Sequence, residues 1–105
     1  MVIMFDVETL GLEAFNDSII LIGMKKNGKI IQWKVWKEEN ELEMILKCLK
    51  KFENIPVHET IVGYNNLKFD VPFIVTRLQI YGKWSDFFWG LLYRDRKWFD
   101  LYQFL

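Results

Sequence analysis

The chain has 105 residues, 51% of them hydrophobic and 17% aromatic, and its 14 basic and 14 acidic residues give a formal net charge of zero. This length allows a single domain over residues 1–105, and the apolar content excludes a disordered chain. The zero charge excludes a nucleic-acid binder held by bulk electrostatics, although divalent ions can supply positive charge locally at an acidic site.

Cysteine usage and hydropathy bear on where the protein works. Cys48 is the only cysteine, so the chain has no internal disulfide. A lone thiol on a predicted helix favours a core position for Cys48 and a cytoplasmic, intracellular protein. The segment from Met1 to Phe5 lacks the basic residues and the length of a signal peptide. The sequence also lacks a run of about 18 apolar residues, which predicts that the chain does not cross a membrane.

The first third of the chain predicts three strands. Val2 to Val7 is a short apolar run that is typical of a buried strand. Ser18 to Met24 predicts a second strand, and the Asn-Gly pair at 27–28 that follows is a strong hairpin signal. Ile30 to Trp36 is therefore expected to be a third strand, antiparallel to the second.

The rest of the chain alternates helix and strand. Apolar residues recur at helical spacing from Leu42 to Phe52, and Asn40 is suited to cap that helix. Thr60 to Tyr64 predicts a fourth strand, Asp70 to Gly82 a helix that Asp70 caps, and Lys97 to Asp100 a fifth strand. The order β-β-β-α-β-α-β implies an α/β fold, a mixed sheet with helices packed on it and functional sites at strand ends.

Two carboxylates, Asp6 and Glu8, lie at the end of the first predicted strand. A spacing of two residues puts both side chains on one face of the strand, where their like charges repel. A divalent ion between them would remove that conflict, since Mg²⁺ and Mn²⁺ prefer hard oxygen ligands. Taken alone, the pair also fits a solvated strand end, which is the more common situation of charged residues.

Two segments resemble known motifs. Residues 5–11 (FDVETLG) resemble the first motif of the DEDD 3′–5′ exonucleases, and residues 63–65 (GYN) with 69–74 (FDVPFI) resemble the second. The second motif is most similar to the form in proofreading exonuclease domains of family B DNA polymerases and their stand-alone relatives. Residues 98–102 (WFDLY) are similar to a later strand of that family. The resemblance covers nearly the whole chain and implies an RNase H-like fold.

The resemblance implies a function and the residues that perform it. Asp6, Glu8 and Asp70 would bind two Mg²⁺ or Mn²⁺ ions, for metal-dependent hydrolysis of phosphodiester bonds at a DNA 3′ end. Without the resemblance, Asp70 is explained as a helix cap. Four further residues would contact the end of a nucleic acid, with single-stranded DNA favoured: Thr9, Leu10, Asn65 and Phe69.

The third motif of the family has no counterpart in the sequence. It reads Tyr-x-x-x-Asp or His-x-x-x-x-Asp on a helix after the last strand, but His58 is followed five residues later by Gly63, and no tyrosine has the required aspartate. Asp86, Asp95 and Asp100 lack the sequence context to replace it. The sequence therefore predicts a domain that lacks the C-terminal helix bearing this motif.

Three interpretations remain open at this point. The chain is an exonuclease-like domain that acts on DNA, alone or completed by another chain, an inactive remnant that binds nucleic-acid ends or a protein partner, or a fragment of a longer enzyme. Six apolar residues near the C-terminus are expected either to lie in the core or to form an exposed surface that a second copy or another chain covers: Trp84, Phe87, Phe88, Trp89, Leu91 and Leu92. Four basic side chains are expected either to contact phosphates or to be scattered surface charges: Arg77, Arg94, Arg96 and Lys97.

Overall fold

The computed structural model describes residues 2–36 and 40–104. Met1 and Leu105, the ends of the first and last segments considered in the sequence, lie outside the described residues. The predicted α/β class and the element order are confirmed, and a short third helix and three single turns are added. The elements are β1 (Val2–Thr9), β2 (Ile19–Lys26), β3 (Lys29–Lys34), α1 (Glu41–Glu53), β4 (Thr60–Gly63), α2 (Val71–Ile80), α3 (Asp86–Trp89) and β5 (Lys97–Asp100). The turns are π-helical at Asn66–Asp70 and Gly90–Arg94 and 3₁₀ at Leu101–Phe104.

The five strands form one mixed sheet in the order β3-β2-β1-β4-β5. The β1–β2 and β2–β3 pairs are antiparallel, and the β1–β4 and β4–β5 pairs are parallel. Asn27 and Gly28 both have positive φ, at 53° and 77°, which is the backbone that a tight two-residue hairpin requires. The predicted hairpin is therefore confirmed, and β3 ends at Lys34, two residues before the predicted end.

One face of the sheet carries the core. Successive residues of β1 alternate between the two faces, so that Ile3, Phe5 and Val7 are buried under the helices. Helix α1 is capped by Asn40, whose side chain accepts a hydrogen bond of 2.8 Å from the Glu43 N–H, as the sequence predicts. The buried apolar residues of α1 and α2 are Met44, Ile45, Cys48, Leu49, Phe52, Val71, Phe73, Ile74 and Leu78.

The other face of the sheet is open in the part of the chain that the structure describes. Val2 and Met4 of β1, Ile30 of β3 and Phe99 of β5 expose between 42% and 65% of their surface there. The apolar residues from 84 to 92 lie elsewhere: Leu92 is buried, and four of the other five pack against the core. Only Phe87 of that set is largely exposed, so the core interpretation is the better one for these residues.

Helix α2 begins differently from the prediction. Asp70 makes no capping hydrogen bond with its side chain, so the predicted cap is wrong. The physical reason is that its carboxylate is used elsewhere, since it accepts hydrogen bonds from Val7 and Asn66. Among the described residues, no helix has the length and apolarity needed to cross a bilayer.

Candidate metal and nucleic-acid site

Asp6 and Glu8 lie side by side on the open face of β1, as their spacing predicts. The buried residues Phe5 and Val7 alternate with them and fix which way β1 faces. Asp6 is opposite Gly23 of β2, and a Cβ added at Gly23 would have its nearest neighbour, Leu21, 3.8 Å away, so the sheet beside Asp6 is not crowded. The local alternation of apolar and acidic residues thus presents both carboxylates to solvent.

Asp70 joins these carboxylates by a direct bond to the β1 backbone. Strand β4 pairs with β1 only as far as Met4, so the Val7 N–H lies beyond the end of that ladder. The Asp70 Oδ2 atom accepts the hydrogen bond from this N–H at 3.1 Å. The third carboxylate is therefore tied to the residue that lies between Asp6 and Glu8 in the chain.

Asn66 holds Asp70 in this position, and the sequence alone did not single it out. Its Nδ2 donates to the Phe5 carbonyl at 3.1 Å and to Asp70 Oδ2 at 3.0 Å. Gly63 makes room for it, because a Cβ at Gly63 would lie 1.8 Å from Asn66 Oδ1. The only signal for this arrangement in the sequence is a spacing. Asn66 follows Gly63 by three residues and precedes Asp70 by four.

Asp100 supports the same turn from β5. Its Oδ1 accepts hydrogen bonds from the N–H groups of Asn65 at 2.6 Å and Tyr102 at 3.0 Å, and its Oδ2 accepts one from Leu67 at 3.1 Å. Both oxygens thus hold backbone in place, which explains the aspartate without a catalytic role. Of the other two candidates for a fourth carboxylate, Asp86 pairs with Arg94 on the surface, and Asp95 lies 3.5 Å from the same guanidinium.

The three carboxylates oppose one another electrostatically. Burial raises the pKa of Asp70 to about 7, with a further contribution from the negative charge of Asp6, against the hydrogen bonds from Val7 and Asn66. Partial burial and then the charge of Glu8 raise the pKa of Asp6 as well. A bound cation would favour the ionised form of each group and relieve this repulsion.

The donor set fits a divalent ion in its chemistry. All three side chains offer carboxylate oxygens, the ligands that Mg²⁺ and Mn²⁺ prefer. Within residues 2–36 and 40–104, however, no group of three or more acidic, histidine or cysteine side chains is placed so that it could hold a metal ion. The fit is therefore one of ligand type alone; Mg²⁺ in proteins usually takes one or two carboxylates and completes its coordination shell with waters and substrate oxygens.

A groove of about 490 Å³ lies on the open face, and Asp6 and Glu8 are among the residues that line it. Residues of β1, β2, β3 and β4 line it, together with Tyr64 and Leu101, and its lining is mostly apolar. The side chains that line it besides the two carboxylates include Met4, Leu21, Ile30, Val62, Tyr64 and Leu101. A ligand in this groove would contact both apolar side chains and the two carboxylates.

The structure places the four predicted nucleic-acid contacts around the same strand end. Leu10 is 72% exposed directly after β1, and the Thr9 hydroxyl donates to the Gly11 carbonyl at 2.6 Å. Asn65 has a left-handed backbone with φ of 59° and is partly buried. Phe69 is partly buried too, with its ring centroid 5.3 Å from that of Phe73. Leu10 is thus the most accessible of the four.

Two of the four cations that could contact phosphates are used inside the fold. Arg77 is buried and bonds to Glu41 at 2.7 Å. Arg96 donates to the carbonyls of Phe52, Ile55 and Leu91. Of the other two, Arg94 pairs with Asp86 as noted above, and Lys97 is exposed on β5.

Comparison with known proteins supports the fold and the lineage. A family model described as the RNase H superfamily matches residues 3–105. This chain belongs to the RNase H superfamily. The match confirms the RNase H-like fold and is consistent with the resemblance to DEDD exonucleases. Comparison with curated protein sequences finds no match.

Solved structures with this RNase H-like fold include a polymerase and an exonuclease. The chain is 20% identical to the family B DNA polymerase of the archaeon Pyrobaculum calidifontis, with a TM-score of 0.73 over 96% of this chain and 15% of the polymerase. It is 18% identical to E. coli exonuclease I, in a metal-free complex with single-stranded DNA, with a TM-score of 0.68 over 98% of this chain and 28% of that chain. The chain therefore spans less than a third of either protein.

Proposed function

We propose that this chain is a divalent-metal-dependent exonuclease-like domain that hydrolyses phosphodiester bonds at the 3′ end of single-stranded DNA. The observation that carries the proposal is the hydrogen bond between Asp70 and Val7, because it ties a third carboxylate to the strand that bears Asp6 and Glu8. A nuclease of this superfamily needs such a group of carboxylates to hold its metal ions.

The three carboxylates would hold Mg²⁺ or Mn²⁺, two ions in a complete site. When bound, such ions supply an activated water and stabilise charge on the leaving 3′ oxygen. The chain contributes the positions of the ligands: Asp70 is fixed by Val7 and Asn66, while Asp6 and Glu8 remain open to solvent. The exposed Leu10 and the neighbouring Thr9, Asn65 and Phe69 would receive the terminal nucleotide.

The structural neighbours support the choice of substrate. E. coli exonuclease I has been solved with single-stranded DNA and with a dT13 oligonucleotide, and also in a zinc-bound form with DNA. The groove on the open face of this chain includes Asp6 and Glu8 in its lining, so a strand bound there would contact these two carboxylates. The buried, free thiol of Cys48 supports an intracellular setting as part of the proposal.

A second candidate function is binding of a nucleic-acid end without cleavage. It is favoured by Asp100, which spends both carboxylate oxygens on backbone N–H groups and so does not add a fourth metal ligand to the other three carboxylates. A second chain that supplies this carboxylate would restore the first function. The two candidates differ in whether the strand is shortened.

The test is digestion of a 5′-labelled single-stranded oligonucleotide with Mn²⁺. Wild-type protein should give a ladder of products shortened from the 3′ end, and Asp6→Asn should reduce the rate at least about 100-fold. Asp86→Asn, on the surface, serves as the matched control and should cleave like the wild type. Equal rates for wild type and Asp6→Asn exclude the proposed hydrolysis, and binding without any cleavage supports the second candidate.

A further inference from the structure

The loop of residues 10–18, which connects β1 to β2, has an apolar and acidic tip. Leu12 is 83% exposed and Phe15 is 77% exposed. Glu13 lies between them in the chain and is exposed as well. Large apolar side chains that are exposed together on one loop are typical of a surface that contacts another molecule. Residues 12–15 (LEAF) are called the loop tip below.

The backbone of this loop is held from two sides. At its base, the Leu10 N–H donates to the Ser18 carbonyl at 3.0 Å. From the helices, the Arg77 Nη1 atom donates to the carbonyls of Ala14 at 3.0 Å and Phe15 at 3.3 Å. A surface whose backbone is already ordered loses little conformational entropy when it binds. The loop tip is therefore suited to insert into a pocket.

A pocket of about 200 Å³ lies at the opposite end of the sheet, between the β2–β3 hairpin and the end of α1, and is called the hairpin pocket below. Lys26, which lines it, pairs with Ile3 at the start of β1, whereas the loop tip follows the end of β1. The apolar residues that line the pocket are Met24, Ile31 and Ile55, and the polar ones are Lys26, Asn27, Lys29, Lys51 and Asn54.

The hairpin pocket carries positive charge beside its apolar side chains. Of the described residues that line it, three are lysines and none is acidic. Lys26 is neutralised by Glu59, since its Nζ lies 3.1 Å from Glu59 Oε2. Neither Lys29 nor Lys51 forms an ion pair with a residue that the structure describes. Lys51 suits the negative end of the α1 dipole, but Lys29 lies on the hairpin and has no such role. These two lysines leave the pocket with a net positive charge.

We propose that the loop tip of one copy of this chain docks into the hairpin pocket of a second copy, so that the chains associate head to tail. Leu12 and Phe15 would contact the apolar lining of the pocket. Glu13 would pair with Lys29 and Lys51. The contact joins two different surfaces, so it repeats along an open assembly or closes into a ring. This association goes beyond the proposed function and does not rest on it.

Charge and size favour a second copy as the occupant. The net charge of the chain is zero, yet the acidic loop tip and the basic pocket lie at opposite ends of β1, so two copies attract each other when they meet end to end. Pockets that hold a whole small molecule are roughly 300–1,000 Å³, so the hairpin pocket is better suited to one or two side chains. We expect the contact to bury less than the roughly 800 Å² per partner of a stable interface, so the association should depend on protein concentration.

Sedimentation velocity of the chain at a series of protein concentrations tests the association. The sedimentation coefficient of the wild type should rise with protein concentration and fall with added salt, because the contact includes ion pairs. Phe15→Ala should weaken the association at least about tenfold, because a large apolar side chain no longer fills the pocket. Phe87→Ala is the matched control, since Phe87 is 59% exposed on α3, and it should associate like the wild type.

Three results of this first experiment would overturn the proposal. One is a wild type that stays monomeric at every concentration. Another is association that Phe15→Ala leaves unchanged or that Phe87→Ala weakens equally. The third is association that occurs only after a single-stranded oligonucleotide is added, since the proposed contact is between protein surfaces alone.

Charge reversal at the pocket tests the other half of the contact. The double variant Lys29→Glu, Lys51→Glu should weaken the association at least about tenfold, because like charges would then face Glu13. The control is Lys83→Glu, Lys97→Glu, which changes the net charge by the same amount at two exposed lysines outside the pocket. Equal weakening by both double variants would show that net charge and not the pocket sets the association, and would overturn the proposal.

Mixing two variants distinguishes head-to-tail association from a symmetric dimer. Phe15→Ala keeps an intact pocket, and the Lys29→Glu, Lys51→Glu variant keeps an intact loop tip. Each should be mainly monomeric alone, and an equimolar mixture should form a 1:1 dimer and nothing larger, because only one productive contact remains. The dimer also shows that both variants are folded. A mixture that stays monomeric, or that forms the same larger species as the wild type, would overturn the proposal.

Discussion

The two faces of the sheet differ in what they contribute, and β1 carries both. Its covered side presents Ile3, Phe5 and Val7 to the helices, while its open side presents Met4, Asp6 and Glu8 to solvent. The covered face stabilises the fold by removing apolar surface from water. The open face gathers like charges that oppose one another, so it does not serve stability. A strand with period two can therefore carry both roles without either interfering with the other.

The largest expected difference between the faces is in side-chain truncation. Phe52 is fully buried and its ring lies 5.4 Å from that of Phe5, so Phe52→Ala should lower the free energy of unfolding by about 3–5 kcal/mol. Met4→Ala on the open face should lower it by less than about 1 kcal/mol. Urea denaturation of both variants measures the difference, and similar losses would contradict the assignment of the two faces.

The second difference is between two arginine pairs. Arg77→Ala leaves Glu41 buried without its partner and should lower the free energy of unfolding by about 3–5 kcal/mol. Arg94→Ala removes a pair with the exposed Asp86 and should cost less than about 1 kcal/mol. Thermal unfolding of the two variants tests this, and an Arg77→Ala protein as stable as Arg94→Ala would contradict the expected cost of breaking the buried pair.

The third difference appears in the pH dependence of stability without metal. Asp70 has a folded-state pKa of about 7, above its unfolded value, so the folded chain binds a proton that the unfolded chain has released. Stability should therefore fall as pH rises from about 4 to 7, by at most about 1.4 kcal/mol per pH unit, and level off above.

The control for this pH dependence is Asp70→Asn in the presence of a chelator. The variant lacks the titrating group and should lose this part of the slope between pH 4 and 7, while groups elsewhere titrate as before. A wild-type slope in Asp70→Asn would show that another group is responsible. The measurement is the urea midpoint at each pH.

The sequence predicted the parts of this molecule that depend on local pattern. Alternation in β1 placed Asp6 and Glu8 on one face, and the Asn27-Gly28 pair defined the hairpin, because both are set by the backbone of neighbouring residues. It missed the bonds that join distant segments. Asp70 was predicted to cap its own helix, yet its carboxylate bonds to Val7, 63 residues away.

The same limit explains the other residues whose roles emerged only in three dimensions. Asn66 bonds to the Phe5 carbonyl, and Asp100 bonds to the turn after β4. Arg77 could not be told from a surface cation, because its partner Glu41 lies 36 residues earlier in the chain. Each of these contacts is set by the packing of elements that are far apart in sequence, which residue spacing does not reveal.

The central claim is that Asp6, Glu8 and Asp70 together bind divalent metal on the open face, and titration with Mn²⁺ in a calorimeter tests it most directly. The wild type and Asp86→Asn should bind Mn²⁺ with the same affinity, while Asp6→Asn and Asp70→Asn should each bind at least about tenfold more weakly. Mn²⁺ binding with wild-type affinity in both of these last variants, or no Mn²⁺ binding by the wild type, would contradict the claim.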